Sequence, residues 1–420
     1  MSAAAAPDMV PPGDGTISPE VRVMRRQGAR GSRFTRAGQR GVLLLTAAAL
    51  AGASPAVVTA SAATVARGSQ ARPAVAAATA GRAPHLHVKG KELVDASGKR
   101  VVLHGVDRSG TEYMCVQGNG IFDGPFRKAS ISAMKRWDVN AVRVPLNESC
   151  WNAESYVNPA YSGANYINAI RRFVNLLNAN GMVAILDLHW TDGAYSGPGA
   201  GCSSAQAVCQ KPMPDAAQAI PFWTSVAKTF KGNDAVIFDL FNEPYPDQAT
   251  GSETAGWQCW QSGGTCAGIG YQVAGMQSLV SAVRSTGARN VLMLGGLAWS
   301  NDLTQWLQHE PADPDHNLVA SWHSYNFNTC SNKTCWTSQV LPVIHKVPVI
   351  TGEMGENDCA DGYISPLMRW LDFWHTSYLA WAWNADFNCS SGPGLITGYG
   401  GQPTGYGIGY RRHLKFLATH

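Results

Sequence analysis

The sequence predicts a single α/β domain, a (β/α)8 barrel, over residues 85–420, and three observations predict it. Eight apolar runs of strand length punctuate this stretch, segments of helical period lie between them, and polar residues gather at the C-terminal ends of the runs. Apolar strands that alternate with helices need a parallel sheet covered on both faces. A count of eight favours closure over an open sheet. A barrel usually takes about 250 residues and expands through its loops, so this stretch fits one domain with long loops and no separate binding module. No GxGxxG follows the first strand, which weakens a dinucleotide-binding alternative.

Residues 1–62 have the layout of a secretory signal peptide with an extended basic n-region. MRRQGARGSRFTRAGQR runs from Met24, the apolar run GVLLLTAAALAGA follows from Gly41, and Ala60-Ser61-Ala62 offers a cleavage site. The long n-region leaves Met9 and Met24 open as starts. The apolar run is short and Ala-rich for a span, which wants about 20 strongly apolar residues, so a retained anchor is the lesser reading. Residues 63–84, rich in Ala and Thr, read as a flexible linker without the means to build a core. The leader carries seven Arg against three acids, so its removal takes the formal net charge from +4 to zero. A neutral mature chain gives no electrostatic case for nucleic acid or an anionic membrane. A secreted monomer is expected.

HLHVKGKELVDASGKRVVLHGV reads as an N-terminal β-hairpin, with Ala96-Ser97-Gly98 at its turn, leading into the first barrel strand. The eight runs are VVLHGVD (101–107), NAVRVPL (140–146), MVAILDLHW (182–190), AVIFDLFNEP (235–244), NVLMLGG (290–296), LVASWHSY (318–325), PVITGEMG (348–355) and SYLAWAWN (377–384). Helix-like patterns between them include PFRKASISAMKRWD, ANYINAIRRFVNLLNANG and YQVAGMQSLVSAVRSTG. The second sets Tyr166, Ile167, Ile170, Phe173, Val174 and Leu177 at helical spacing and stops on Asn180-Gly181.

All ten cysteines lie after residue 114, and an even count in an exported chain suggests disulfides that staple the long βα loops. Cys202/Cys209, Cys259/Cys266 and Cys330/Cys335 are close pairs. Cys115/Cys150 and Cys359/Cys389 would complete five, one of many connectivities that ten cysteines allow. A zinc site is disfavoured, because no CxxC occurs and no close pair has a matching Cys or His pair nearby.

The strand ends carry the chemistry. The second delivers Arg143, the third His189 and Trp190, the fourth Asn242 and Glu243. The sixth delivers His323 and Tyr325, the seventh Glu353, the eighth Trp383 and Asn384. In a parallel barrel these ends open on one face, where barrel enzymes keep their reactive groups. Two carboxylates among aromatics on one rim suit glycoside hydrolysis, one protonating the leaving oxygen while the other attacks or activates water. Glu356 competes with Glu353 but sits past a glycine, in the loop. Asp187, on the strand face of His189, reads as a buried orienting group. Trp151, Trp190, Trp299, Trp322 and Trp336 read as packing residues, Tyr245 is open to either role, and His85-Leu86-His87 reads as surface.

The chain resembles glycoside hydrolase family 5, the cellulase-like branch of the retaining barrel glycosidases, over nearly all of residues 85–415. NEP at 242–244 and ITGEMG at 350–355 carry the resemblance, supported by NAVRVPL, LDLHW, WHSY at 322–325 and WAWN at 381–384 in order. The resemblance implies Glu243 as acid/base and Glu353 as nucleophile, with Arg143 favouring its ionised state. It implies that Tyr325 hydrogen-bonds Glu353, Asn242 holds the sugar 2-hydroxyl, and His189 and His323 position sugar hydroxyls or the carboxylates. Trp383 would be the stacking floor. No metal or cofactor is implied, and the partner is a β-linked glycan. Endo-β-1,4-glucanase activity is the leading expectation. The family also holds mannanases and exo-acting β-glycosidases, and the long loops after strands one and four bear on that choice. From other classes, a non-catalytic glycan-binding barrel and a metallohydrolase are the alternatives.

Overall fold

A computed structural model describes residues 81–387, 389 and 392–420. The expected signal peptide and nearly all of the linker lie outside the described residues. The strands in chain order are β1 (Leu86–Lys89), β2 (Glu92–Asp95), β3 (His104–Asp107), β4 (Ala141–Asn147), β5 (Val183–Trp190), β6 (Val236–Asp239) and β7 (Gly263–Thr265). They continue with β8 (Gln272–Ala274), β9 (Leu292–Gly295), β10 (Leu318–Tyr325), β11 (Val349–Gly355), β12 (Ser377–Ala380), β13 (Ile396–Gly398) and β14 (Gln402–Pro403). Eight of them close a barrel in the order β3-β4-β5-β6-β9-β10-β11-β12, with β12 returning to β3. Every neighbouring pair is parallel. Each of the eight apolar runs supplies one of these strands. Among the described residues no helix is long and apolar enough to cross a membrane.

The outer layer follows from helical periodicity. The helix Ala164–Ala179 buries Tyr166, Ile170, Phe173, Val174 and Leu177 against the barrel and is capped by Asn180, with Gly181 at φ 82° beyond it. The third helical pattern starts later than its sequence suggests. Its first residues form β8, and the helix occupies Met276–Arg284.

Inside the barrel, alternation along the strands sets two kinds of layer. The lower one is apolar: Ala141, Ile185, Ile237, Met293, Ile350 and Leu379 form one cluster with Leu86 and Leu93 of the β1-β2 hairpin. The hairpin thus closes the N-terminal end of the barrel with side chains. Its tight connection is at Gly90-Lys91, while Ala96-Ser97-Gly98 makes a second turn, held by Asp95 and a bridge from Val94 to Arg100.

The upper layer is charged. Two residues further along β4, β5 and β6, the inward positions are Arg143, Asp187 and Asp239, and β3 adds Asp107 directly opposite Arg143. All four are fully buried. The guanidinium donates through Nε to Asp239 (2.9 Å), through Nη1 to Asp107 (3.1 Å) and Glu353 (2.7 Å), and through Nη2 to Asn242 (2.8 Å), with Asp187 3.1 Å from Nη2. One cation therefore faces four carboxyl groups. Burial pushes Asp107 and Asp239 well above the ordinary aspartate range, against the pull of Arg143. A second oxygen on each of Asp107, Asp187 and Asp239 is buried without a hydrogen-bond partner.

Five disulfides join the three close pairs, Cys202–Cys209, Cys259–Cys266 and Cys330–Cys335, and the two pairs that would complete the set, Cys115–Cys150 and Cys359–Cys389. All except the last anchor at least one end in a loop following β3, β5, β6 or β10, and the last links the segments after β11 and β12.

Two outcomes are expected. Replacing Arg143 by Met strands four carboxyl groups around an apolar chain and should lower unfolding free energy by about 3–5 kcal/mol; urea unfolding that matches wild type would refute the shared-cation account. Denatured oxidised protein should release no titratable thiol, and reduction should lower the melting temperature, each bridge being typically worth about 2–4 kcal/mol.

Candidate active site

Glu353 is delivered by β11 to the C-terminal mouth of the barrel and is 3% exposed. Its Oε1 accepts from Arg143 (2.7 Å) and its Oε2 from the Tyr325 hydroxyl (2.6 Å). A register shift in the β10-β11 ladder after Trp322 sets His323 opposite Glu353 and Tyr325 opposite Gly355. Gly352 permits that approach. A Cβ there would stand 2.9 Å from His323 Nε2 and 2.7 Å from the end of Met293.

Glu243 arrives differently. The sequence suggests a strand running to residue 244, but the β6 ladder ends at Asp239. Residues 240–243 are carried by single contacts on both sides: Leu240 N–H to Met293 O (2.9 Å), Asn242 N–H to Leu188 O (3.0 Å), and the Ser300 hydroxyl to Asn242 O (2.9 Å). Glu243 comes to rest with a side chain 12% exposed, Oε1 3.0 Å from His323 Nδ1 and Oε2 3.0 Å from Gln210 Nε2. His323 Nδ1 is also 3.7 Å from Glu353 Oε2. One oxygen of each glutamate and one ring nitrogen of His323 lie within 4.8 Å of one another.

The electrostatics distinguish these groups. Burial raises the Glu353 carboxyl above its ordinary value; His323 and Arg143 oppose the rise, and the Glu243 charge adds to it. Burial also drops the His323 imidazole to about 4, so the ring is neutral at pH 7. Arg143 is then the full positive charge beside Glu353, and it favours the ionised carboxylate against the effect of burial. The Tyr325 phenol is raised well above its ordinary range, by burial first and then by Glu353, so it stays a donor.

Asn242 and His189 complete the floor. Asn242 accepts from Arg143 and turns its amide toward His189 Nε2 at 3.5 Å, while His189 Nδ1 sits 2.7 Å from Asp187. Asp187 thus orients His189 while contacting Arg143, the role expected of it. Glu356 lies apart from the pair, accepting from the Tyr363 backbone N–H (2.7 Å).

The expected place of Trp383 is corrected. It is fully buried in the outer core, edge-on to Trp137 at 4.9 Å between ring centroids. Trp381 occupies the mouth instead, parallel to His189 at 5.4 Å and clustered with Tyr325 and Phe387. The ladder of β12 stops at Ala380, so the alternation that would keep residues 381 and 383 on one face no longer applies. WAWN contains both tryptophans, and spacing alone does not separate them. Gln210 was also beyond sequence reasoning, since it lies in a loop. Asp107 and Asp239 left one signal, a charge within an otherwise apolar run.

The rim is built by the loops. Tyr245 is buried beneath the half-buried Trp299, their rings 4.9 Å apart and nearly parallel. Trp151, Trp322 and Trp336 are packing residues, as expected. Between the loops after β3 and β12, Asp123 is paired with Arg108 and accepts from Asn384 (2.6 Å) and Tyr399 (2.7 Å). The long first loop is therefore fastened to the last one, and Asn384 serves that clasp.

Comparison with known proteins agrees with this arrangement. A cellulase model, glycosyl hydrolase family 5, matches residues 94–387. A mannan endo-1,4-beta-mannosidase of Salipaludibacillus agaradhaerens is 21% identical over 310 residues, covering 71% of this chain and 82% of the relative. Endoglucanase B of Clostridium cellulovorans is 26% identical over 217 residues, which is 50% of this chain and 44% of that protein. Among solved structures, a beta-glucanase from Saccharophagus degradans aligns with a TM-score of 0.59 at 17% identity, over 81% of this chain and 95% of that one. A beta-mannanase from Thermomonospora fusca aligns with a TM-score of 0.54 at 20% identity, over 77% and 93%. With the family match spanning most of the chain and the barrel shared with both kinds of enzyme, this protein belongs to glycosyl hydrolase family 5.

Proposed function

We propose that this chain is a secreted, retaining endo-acting hydrolase of β-1,4-linked glucan, working through Glu353 as nucleophile and Glu243 as acid/base. The observation that carries the reading is the approach of the two carboxylates within 4.8 Å, one gripped by Arg143 and Tyr325 and the other more open to solvent. Retaining pairs stand about 5–5.5 Å apart, whereas inverting pairs leave about 6.5–9.5 Å for a water.

In the first step a Glu353 oxygen forms a bond to the anomeric carbon while the glycosidic C–O bond breaks, and the leaving oxygen takes the proton of Glu243. In the second, ionised Glu243 removes a proton from water, the water oxygen bonds to the anomeric carbon, and Glu353 leaves as a carboxylate. Trp381 provides the apolar floor for the reacting sugar. Asn242, held in orientation by Arg143, addresses its hydroxyls. The five disulfides fit an oxidising, extracellular setting.

Mannan is the second substrate reading, favoured by mannanases among both the sequence relatives and the structural neighbours. Product sizing on β-glucan, mannan, xyloglucan and xylan separates the two, and mixed oligomers from one polymer mark internal cleavage. Release of a single short unit would overturn the endo reading. Binding without turnover across the panel would favour a glycan-binding barrel, and loss of activity with chelator a metallohydrolase.

Glu353→Ala should abolish turnover while keeping the melting temperature near wild type; substantial residual rate would remove Glu353 from its role. Proton NMR of fresh product should find the β-anomer first, and an initial α-anomer would exclude retention. The nucleophile must be ionised, so kcat/KM falls as pH drops through the Glu353 pKa. Because burial raises that pKa, the acid limb should lie above the ordinary glutamate value. Tyr325→Phe removes a donor to the charged form, raises the pKa further and should move the limb to higher pH; an unmoved limb would separate Tyr325 from the nucleophile.

A further inference from the structure

Glu243 has a neighbour that comes from no barrel strand. Gln210, 8% exposed, sits in the segment between β5 and β6 and donates through Nε2 to both the backbone carbonyl and the Oε2 of Glu243, each at 3.0 Å. The backbone carbonyl can only accept, so the amide is oriented with its NH2 toward the glutamate. The opposite orientation would set oxygen against oxygen at both contacts.

The amide is held firmly. The adjoining Cys209 is bonded to Cys202, and the adjoining Lys211 sends its ammonium back into the same loop to the Ser204 carbonyl, 3.4 Å from Cys209 Sγ. Beyond the knot, Tyr245 N–H donates to Pro212 O (3.0 Å) and the Tyr245 hydroxyl to Gln210 O (3.3 Å). The chain on both sides of Glu243 is thereby tied, since Ser300 holds Asn242.

We propose that Gln210 is a positioning residue for proton transfer, fixing the Glu243 carboxyl through Oε2 and stabilising its ionised form. The proposal rests on the assignment of Glu243 as acid/base. The β6 ladder ends at Asp239, so its own strand no longer orients this side chain; His323 from β10 contacts Oε1, and the disulfide-bound loop, through Gln210, holds Oε2. Gln210 is neutral at every pH, so its donation lowers the Glu243 pKa without adding a charge that titrates. The titratable groups that face Glu243 include His323 and Tyr325 from β10, Glu353 from β11, and Tyr245 beside it. Lys211 is turned to Ser204.

The test compares substrates that do and do not need an acid. Values of kcat/KM are measured for Gln210→Met, which keeps volume and removes the donor. The substrates are cellotetraose or mannotetraose, whichever the enzyme cleaves, and the matching dinitrophenyl glycoside, whose leaving group departs without protonation. The tetrasaccharide rate should fall about tenfold, within the range of general-acid effects, and at least fivefold more than the dinitrophenyl rate. The alkaline limb on the tetrasaccharide should move to higher pH, because loss of a donor to the charged form raises the Glu243 pKa. Equal losses on both substrates, or an unmoved limb, would overturn the proposal and leave a structural role. Glu243→Ala is run beside it. If that variant lost both substrates equally, the acid/base assignment itself would fail. Should Gln210→Met not fold, the double variant Cys202→Ala/Cys209→Ala frees the loop with Gln210 intact. It must give the same leaving-group dependence and limb shift, and their absence would overturn the proposal.

Discussion

The buried guanidinium of Arg143 is the interaction on which the rest of the site depends. It links β3, β4, β5, β6 and β11 in one layer, because its partners Asp107, Asp187, Asp239 and Glu353 come from four other strands. A charge so deep is costly unless paired and hydrogen-bonded, and here every nitrogen that can donate has an acceptor. The same cation contacts Glu353 directly, so in the proposed mechanism a stability element also serves the nucleophile. Burial first, and the neighbouring carboxyl groups after it, raise Asp107 and Asp239 well above the ordinary aspartate range, against the pull of Arg143.

Above that layer the construction changes. Glu353 stands within β11, where the pairing with β10 and β12 shifts register, and is gripped by the strand residues Arg143 and Tyr325. Glu243 stands beyond its ladder and is held by Gln210 from a disulfide-bound loop and by His323 from β10. The two carboxylates are placed by different parts of the fold, one by sheet geometry and the other by loop geometry. That division suits the roles proposed for them. A nucleophile benefits from a fixed, charge-compensated seat, while a group that must carry and release a proton benefits from neutral neighbours and a partly open face. His323, neutral through burial, sits between them without adding a competing positive charge.

The loops also shape what can reach the pair. Asp123 fastens the first loop to the last, and Trp299 lies over Tyr245 on the side of Glu243. Disulfides fasten these connections, several of them through cysteines buried in the main core.

Much of this was legible in the linear chain. Continuous apolar runs reflect burial on both faces and the 3.6 period reflects burial on one, so the eight strands and the helical layer were legible in local patterns. Glu243, Glu353, His189, Asn242, His323 and Tyr325 could be picked out as polar residues at or near the ends of apolar runs and Arg143 as a charge within one, and the closed parallel barrel brings these positions together. The separation of the carboxylates was decided only by tertiary structure, since it depends on barrel closure and on where each ladder stops. Trp381 rather than Trp383 faces the mouth for the same reason: alternation predicts a face only while the hydrogen-bonded ladder persists, and β12 ends at Ala380. Gln210 carried no pattern at all. A loop residue acquires its neighbours from the path of the chain in space, and that path is set by packing between segments distant in sequence.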